Sequence, residues 1–454
     1  MASPLGRIAT TAPGRLRSLV DEARGSRRGI ADVLLSLLPQ GVTAASGLAV
    51  TLLLARGLSA ASLGRHALAI SVASMVIAFT DLGIGATAVR FAAGAWAEGR
   101  ADETRAILRW TLGMRLLIGA GASAAAFALA PVIADAAWHD PSLAPLIRLA
   151  LLTSTLAPMV TFPALYLQAH RRFRWNAVAA SGQGAFTLLA VLVAAGFGLW
   201  SVEAILLASA VGMAVAAAVL LPLVPWGVIR PRLPSRRSLS MPTSEGLGSF
   251  ARYNLAASLV CAVTARMDVW AMGFFLGDAD VGVYTVASRF TLPLLMLIAA
   301  VNTALAPRAA AVASSREETV RLLRKTFALS AVLALGALVY SIVVPMAAPW
   351  IFGDAYEGAV GLARLLGLRY VIAILFCPIA VVGYNFGLIR AYVAMNVAQL
   401  VLVTVSNALL LPRVGTEGAA ISFIASELLG FAVIALLIRS RLRADPLAPS
   451  PSKS

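Results

Sequence analysis

Charged side chains are scarce in this chain, and histidine and cysteine are rarer still. Only 13% of the 454 residues are charged, whereas an average soluble domain carries about 25%. The three histidines and two cysteines are isolated in sequence and predict neither a metal site nor a disulfide framework; they are His66, His139, His170, Cys261 and Cys377. A phosphate-binding loop of the form G-x-x-x-x-G-K-[ST] is also absent, which excludes nucleotide hydrolysis by that route.

Apolar residues make up 60% of the chain, which is more than a soluble fold can bury. A helix needs about 20 mostly apolar residues to cross the hydrocarbon core of a bilayer. The sequence therefore predicts an all-α polytopic membrane protein with about twelve transmembrane helices. The apolar runs place these helices at residues 30–55, 63–90, 107–133, 144–168, 175–198, 202–225, 248–276, 281–307, 322–351, 359–384, 390–411 and 416–438.

Basic residues outnumber acidic ones by 37 to 21, a net charge of +16. In a soluble protein this excess would indicate nucleic-acid binding. Here the basic residues form no continuous face and stand between the apolar runs, so no nucleic-acid partner is predicted. With a cytoplasmic N-terminus, 28 of the Lys and Arg residues fall on the cytoplasmic side and five on the opposite side. The positive-inside rule then predicts that both termini are cytoplasmic.

The polar segments divide the chain into two halves and two tails. Residues 1–29 are rich in Arg and lack an apolar core, so they predict a cytoplasmic tail and not a signal peptide. The polar break at 226–247 predicts a cytoplasmic linker between an N-terminal six-helix bundle at 30–225 and a C-terminal one at 248–438. Residues 439–454 end in a Pro- and Ser-rich segment and predict a disordered cytoplasmic tail.

An internal repeat relates the two halves. At an offset of 218 residues, Gly64 aligns with Gly282 and Arg90 aligns with Arg308, in the matched context of a polar turn, a long apolar run and a terminal Arg. Each half has six helices, an even number, so both halves begin on the same side of the membrane. They are therefore predicted to be parallel repeats about an axis normal to the membrane. Transporters built in this way bind substrate near the midplane, between the halves.

The two halves also carry motifs of a known family. These are 58–64 (LSAASLG), 79–85 (FTDLGIG) and Arg90 in the first half, and 266–268 (RMD), 276–284 (LGDADVGVY), Arg289 and Pro307 in the second. Over about 30–440 the chain resembles the bacterial polysaccharide exporters, or O-antigen flippases, of the multidrug and oligosaccharidyl-lipid exporter superfamily.

This resemblance implies two six-helix bundles and a non-enzymatic function without a cofactor. Members of the family move lipid-linked sugars, usually carried on a polyprenyl pyrophosphate, from the inner to the outer leaflet. The expected location is therefore the bacterial cytoplasmic membrane. The expected partners are the lipid-linked glycan, membrane lipids and polysaccharide assembly proteins, and a monomer is expected because the fused halves already supply the pairing of a dimer.

Charged residues at membrane depth usually face a cavity or a partner. Here they are Asp32, Asp81, Arg115, Arg266, Asp268, Arg289, Arg369 and Glu427. We expect Arg266 and Arg289 to hold a pyrophosphate, because a guanidinium group matches phosphate oxygens best. The alternative is that either arginine pairs with Asp268 or with another buried carboxylate.

Other charged residues are weaker candidates for function. Arg90 and Arg308 end their helices at the predicted cytoplasmic face, where they either capture substrate or anchor the interface. Asp81, Asp268 and Glu427 are candidates for ion coupling, with a helix-packing ion pair as the alternative for Asp81.

Two further functions remain open in the sequence. A drug or cation antiporter of the same superfamily would use carboxylates to attract its cargo, and the two arginines argue against it. A flippase for a lipid-linked peptidoglycan precursor is the other alternative, although relatives devoted to that substrate typically add two helices that this sequence lacks. A membrane-bound polymerase or ligase is not expected, because the longest outward loops have only about ten residues, near 134–143 and 352–358.

Overall fold

The structure is a computed structural model that describes residues 38–81, 83–229, 258–312, 315–385 and 389–443. Within these ranges it is helical, without strands. Its twelve spans, counting the bent α8 as one, are α1 Leu38–Gly57, α2 Ala60–Asp81 continued by Ile84–Ala97, α3 Ala101–Trp138, α4 Leu143–Ala169, α5 Phe173–Gly196, α6 Val202–Leu220, α7 Ser258–Phe275, α8 Asp278–Arg289 continued by Leu292–Val312, α9 Arg316–Val343, α10 Ala359–Asn385, α11 Ile389–Val414 and α12 Glu417–Arg443. The predicted all-α membrane fold is confirmed.

Some helices extend further than the apolar runs predict. Helix α3 begins at Ala101 instead of 107, α9 begins at Arg316 instead of 322, and α12 continues to Arg443 instead of 438. The added turns are polar: α3 has Asp102 and Glu103 in its first turn, where carboxylates favour the positive end of the helix dipole. Hydropathy therefore locates the part of each helix that is buried in hydrocarbon, but not its hydrated ends.

The predicted N-terminal tail, residues 444–454 of the predicted C-terminal tail and most of the predicted linker lie outside the described residues. The prediction that the C-terminal tail begins at residue 439 is wrong, because residues 439–443 continue helix α12. The linker's first residues form a short helix, Trp226–Ile229. The exact boundaries of the two predicted six-helix bundles, 30–225 and 248–438, stay a prediction.

Two spans of the second half are interrupted near its arginines. Helix α8 bends by 46° between Arg289 and Leu292. Pro293 has no N–H to bond to the carbonyl of Arg289, four residues earlier. The missing hydrogen bond explains the bend. Helix α7 contains a turn at Ala265 and Arg266. Both arginines therefore lie at helix breaks.

The 218-residue offset of the sequence repeat also relates the helices in space. It aligns the start of α2 at Ala60 with the start of α8 at Asp278, and the remaining helices in order through α6 and α12. Helix α4 packs against α2, α3, α5 and α6, and its equivalent α10 packs against α8, α9 and α12. We call α1–α6 the first lobe and α7–α12 the second lobe.

The lobes meet where α2 and α8 begin, in a reciprocal contact of two glycines. A Cβ added to Gly64 would lie 1.7 Å from the carbonyl oxygen of Asp278, and a Cβ added to Gly282 would lie 2.0 Å from the carbonyl oxygen of Ala60. Since Ala60 and Asp278 are themselves equivalent in the repeat, each lobe makes the same contact with the other. Only glycine permits this approach of the two backbones.

Polar contacts reinforce this end of the molecule, which we call the closed end. Arg56 donates to the carbonyl oxygens of Ile351 and Trp350 at 2.8 and 2.9 Å. The remaining polar contacts between the lobes, within the described ranges, lie in the same half of the molecule: Arg65 Nε to Asp278 Oδ2 at 3.9 Å, Trp138 Nε1 to the Trp270 carbonyl oxygen at 3.3 Å, and Trp270 Nε1 to Ser71 Oγ at 2.8 Å.

Candidate functional site

A central cavity of about 360 Å³ lies between the two lobes, beneath the closed end. Helices α1, α2, α4, α5 and α6 of the first lobe and α7 and α8 of the second contribute to its wall. Arg266 and Arg289 are the charged side chains that line it within the described part of the chain, and no described carboxylate does so. Most other polar groups in the wall are hydroxyls and an amide: Thr43, Ser46, Thr51, Ser71, Thr153, Gln183, Thr187, Ser209, Tyr284, Thr285 and Ser288.

Helix breaks place both arginines at about half the depth of the bundle. Arg266 immediately precedes the helical segment Met267–Phe275, and Arg289 ends the segment Asp278–Arg289. Twelve helical residues rise about 18 Å, so Arg289 lies about halfway through a 30 Å hydrocarbon layer if Asp278 marks its edge. The Nη1 atom of Arg289 reaches across to the first lobe, 3.8 Å from where a Cβ on Gly47 would lie.

Neither guanidinium has a carboxylate partner among the described residues. All ion pairs seen there involve other arginines. The Nε atom of Arg289 is buried and has no hydrogen-bond partner in this part of the chain. Asp32 lies outside the described residues. The arginines are thus positioned as cationic groups facing an internal space.

Asp268, the expected alternative partner of the arginines, is engaged elsewhere. Its carboxylate accepts a hydrogen bond from the Tyr284 hydroxyl and a second one, of 2.8 Å, from the Val269 N–H. The Asp268 side chain is buried. Asp268 lies on α7 and Tyr284 lies on α8. This hydrogen bond ties α7 to α8 at the wall of the cavity.

We expect Tyr284→Phe to destabilise the second lobe, because it leaves a buried carboxylate without its hydroxyl donor. The loss of a bond to a charged group costs about 1.5–3 kcal/mol, so the melting temperature in detergent should fall by several degrees. Tyr166→Phe is the control, since the Tyr166 ring packs against His170 and that packing survives the change. Equal melting temperatures for both variants would contradict a stabilising role of the hydrogen bond between Tyr284 and Asp268.

The other two candidates for ion coupling have basic partners within their own lobes. Asp81 lies 3.7 Å from the Nε atom of Arg115, a buried residue of α3, and accepts a hydrogen bond from the Gly85 N–H. Glu427 lies 3.4 Å from the Nε atom of Arg369. These contacts account for four of the eight intramembrane charges, and they hold helices together within a lobe.

Arg90 and Arg308 do not line the central cavity. Both side chains are exposed, at equivalent positions near the ends of α2 and α8 that lie away from the closed end. Their predicted role in substrate capture stays a prediction.

The cavity wall contains groups that the sequence did not single out. His66 lies beside Arg289, and Gln183 and the hydroxyl-bearing residues of α1 face the same space. The repeat offers the one signal that could have identified His66: at the same offset it aligns with Tyr284, which also lines the cavity.

A side opening adjoins the central cavity between α1 and α8, on the surface of the described residues. This second cavity, of about 580 Å³, shares Thr43, Gly47 and Arg289 with the first. The rest of its wall is mainly apolar, formed by Pro39, Ala44, Ala180, Leu292, Leu295, Met296 and Ala299. Leu295 is 43% exposed there. A polar cavity thus adjoins a mainly apolar opening.

Residues 30–313 match the sequence profile of a family described as polysaccharide biosynthesis protein. This match covers more than half of the chain. The chain belongs to the polysaccharide biosynthesis protein family. It is a multi-pass membrane protein of a transporter family, and the resemblance carried by the sequence motifs is confirmed. No curated protein matches this family member in sequence.

Solved structures show the same fold at low sequence identity. An inward-facing multidrug resistance MATE family transporter of the MOP superfamily is 14% identical and superposes with a TM-score of 0.66, covering 91% of this chain and 98% of its own. The lipid II flippase MurJ, in an inward closed conformation, is 13% identical with a TM-score of 0.66, covering 90% and 87%. A MOP superfamily transporter from Pyrococcus furiosus is 14% identical with a TM-score of 0.60, covering 92% and 96%. This member of the polysaccharide biosynthesis family thus shares the two-lobed fold of MOP transporters.

Proposed function

We propose that this protein flips a polyprenyl-pyrophosphate-linked oligosaccharide, a precursor of a cell-surface polysaccharide, from the inner to the outer leaflet of the bacterial cytoplasmic membrane. The observation that carries the proposal is the charge of the central cavity. Arg266 and Arg289 line it without a described carboxylate, so the cavity favours an anion over a cation.

Arg266 and Arg289 suit the pyrophosphate of such a carrier. Guanidinium groups donate paired hydrogen bonds to phosphate oxygens, and both side chains lie at helix breaks about halfway across the bundle. Discontinuous helices at this depth are the usual setting of transporter binding sites. The hydroxyls of α1 and the amide of Gln183 offer hydrogen-bonding groups to the sugar.

The opening between α1 and α8 supports a lipid-linked cargo. A polyprenyl chain cannot enter a polar cavity without losing its favourable hydrocarbon environment. An opening lined by Leu292, Leu295 and Met296 lets the chain remain among the lipids while the headgroup lies beside Arg289.

The positive-inside rule supports an orientation with the closed end toward the outer face and both termini in the cytoplasm. The structure then represents a state that receives cargo from the inner leaflet. Transport by alternating access requires the contact of Gly64 with Asp278, and that of Gly282 with Ala60, to open in the other state.

The alternatives receive less support from the cavity. A drug or cation antiporter needs acidic groups in its binding site, and Asp81 and Glu427 are paired with arginines inside their lobes. A peptidoglycan precursor also carries a polyprenyl pyrophosphate and remains a second candidate, favoured by the likeness to a lipid II flippase. Asp81, Asp268 and Glu427 stay candidates for ion coupling, and a non-enzymatic monomer that works with assembly proteins stays the expectation.

The test is leaflet transfer in proteoliposomes. We expect a fluorescent polyprenyl-pyrophosphate sugar to become accessible to an external reagent only when the protein is present, while a cationic dye stays in place. Liposomes that contain the Arg266→Ala, Arg289→Ala double variant are the control for leakage. Dye movement without transfer of the lipid-linked sugar would refute the proposal in favour of the antiporter.

A further inference from the structure

The ring of His66 lines the central cavity. Its Nε2 atom is buried and makes no hydrogen bond within the described residues. A buried polar atom without a partner costs about 1–3 kcal/mol, and in native structures it usually marks a functional group or a missing ligand. His66 therefore needs an explanation that the fold does not supply.

Comparison of the two lobes shows why His66 lacks a partner. At the offset of 218 residues, His66 is equivalent to Tyr284, and both line the cavity. Tyr284 donates its hydrogen bond to Asp268, but the position equivalent to Asp268 in the first lobe is Val50. In the second lobe the Tyr284 hydroxyl therefore has a hydrogen-bond acceptor within the lobe. In the first lobe the His66 ring has no such acceptor at the equivalent position and is available to a ligand in the cavity.

The surroundings of His66 indicate the chemistry of its ligand. Arg289 is the charged residue that acts electrostatically on the imidazole, and Arg266 lines the same cavity. An imidazole that shares a cavity with two guanidinium groups, and with no carboxylate among the described wall residues, is suited to donate a hydrogen bond to a shared anion. A phosphate oxygen is such an acceptor.

We propose that His66 is the first lobe's contribution to the phosphate site, so that the pyrophosphate headgroup is held by His66 from one lobe and by Arg266 and Arg289 from the other. This deepens the proposed function and rests on it. The three side chains line one cavity because the closed end brings α2 against α8. The headgroup therefore bridges the lobes in this state, and opening of the closed end separates His66 from the arginines and loosens the site.

The experiment measures binding of geranylgeranyl pyrophosphate to the full-length protein in nanodiscs, with geranylgeraniol as the probe without phosphates. His66→Leu should weaken binding of the pyrophosphate about tenfold or more, as expected for loss of a bond to a charged group, and leave binding of the alcohol unchanged. His66→Gln restores a donor and should recover most of the affinity. His139→Gln is the matched control, because the His139 ring contacts Phe274 and the Asp135 carbonyl outside the cavity.

Thermal stability without ligand separates a binding role from a structural one. Because Nε2 has no partner within the described residues, His66→Leu should keep or raise the melting temperature, whereas a histidine needed for packing would lower it. Unchanged pyrophosphate binding in His66→Leu, together with weakened binding in Arg289→Ala, would overturn the role of His66 and leave the arginine site standing. Absence of pyrophosphate binding in the wild type would overturn both.

Discussion

Arg289→Ala is expected to reduce transfer of the lipid-linked sugar by a factor of at least about 100 while leaving the protein folded in the membrane. Two hydrogen bonds to a charged phosphate are lost, each worth about 1.5–3 kcal/mol, and a factor of ten corresponds to 1.4 kcal/mol. Stability should be preserved because Arg289 has no carboxylate partner among the described residues and its Nε atom is unsatisfied. Removing an unpaired buried charge relieves a desolvation cost.

The measurement is transfer in proteoliposomes at equal protein content, combined with the melting temperature of each variant. Arg266→Ala should show a smaller loss of transfer. Arg364→Ala is the control for charge, since Arg364 is an exposed residue of the second lobe that bonds to the Ile342 carbonyl.

Arg369→Ala should give the opposite pattern, because Arg369 pairs with Glu427 and stacks 4.1 Å over the Phe423 ring. Its loss leaves a carboxylate without its partner, so the melting temperature should fall. If Arg289→Ala unfolds as readily as Arg369→Ala, then Arg289 is a structural residue and the pyrophosphate site is wrong.

Gly282→Leu is expected to hold the closed end open and to abolish transport. A Cβ at this position would lie 2.0 Å from the Ala60 carbonyl oxygen, and the obstacle is backbone that belongs to the other lobe. The helix itself tolerates leucine well, so the lobes should separate before the fold is lost. Gly64→Leu should have the same effect, since the contact is reciprocal.

Distances between spin labels test this expectation directly. The labels are placed at Ser59 and Glu357, which are exposed near the closed end and lie in different lobes. Cys261 and Cys377 are first replaced by serine so that only these two sites are labelled. In Gly282→Leu the two labels should move apart by several ångströms. Gly336→Leu is the matched control, because a Cβ at Gly336 meets nothing within 4 Å. Unchanged distances and full transport in Gly282→Leu would show that the glycine contact is not a moving part.

The fold could be predicted because burial in hydrocarbon requires long apolar helices, and twelve such runs are visible in the sequence. The bend in α8 was also predictable, since Pro293 removes a backbone donor. The turn at Arg266 in α7 was not, because the residues around it include neither proline nor glycine; tertiary packing, and not local propensity, must hold it.

The two arginines of the candidate site could also be predicted from the sequence. Arg266 and Arg289 are conspicuous as charges within apolar runs, and both line the cavity. The pairing of Asp81 with Arg115, and of Glu427 with Arg369, depends on which helix faces meet, and hydropathy does not encode this. The sequence around His66 does not mark it as a site residue, because a lone histidine carries no metal-binding pattern. Its alignment with Tyr284 becomes informative only when the structure places both residues in the wall of one cavity.

The reciprocal glycine contact has a consequence for the origin of the chain. In an isologous interface, the same patch on two subunits meets itself across a twofold axis. Gly64 with Asp278 and Gly282 with Ala60 have this form, although they lie in one polypeptide. A six-helix ancestor could have formed a homodimer through this patch, with two identical cavity walls. In a single chain the two walls are free to differ, and here the second lobe has Arg266 and Arg289 where the first has Leu48 and Ser71.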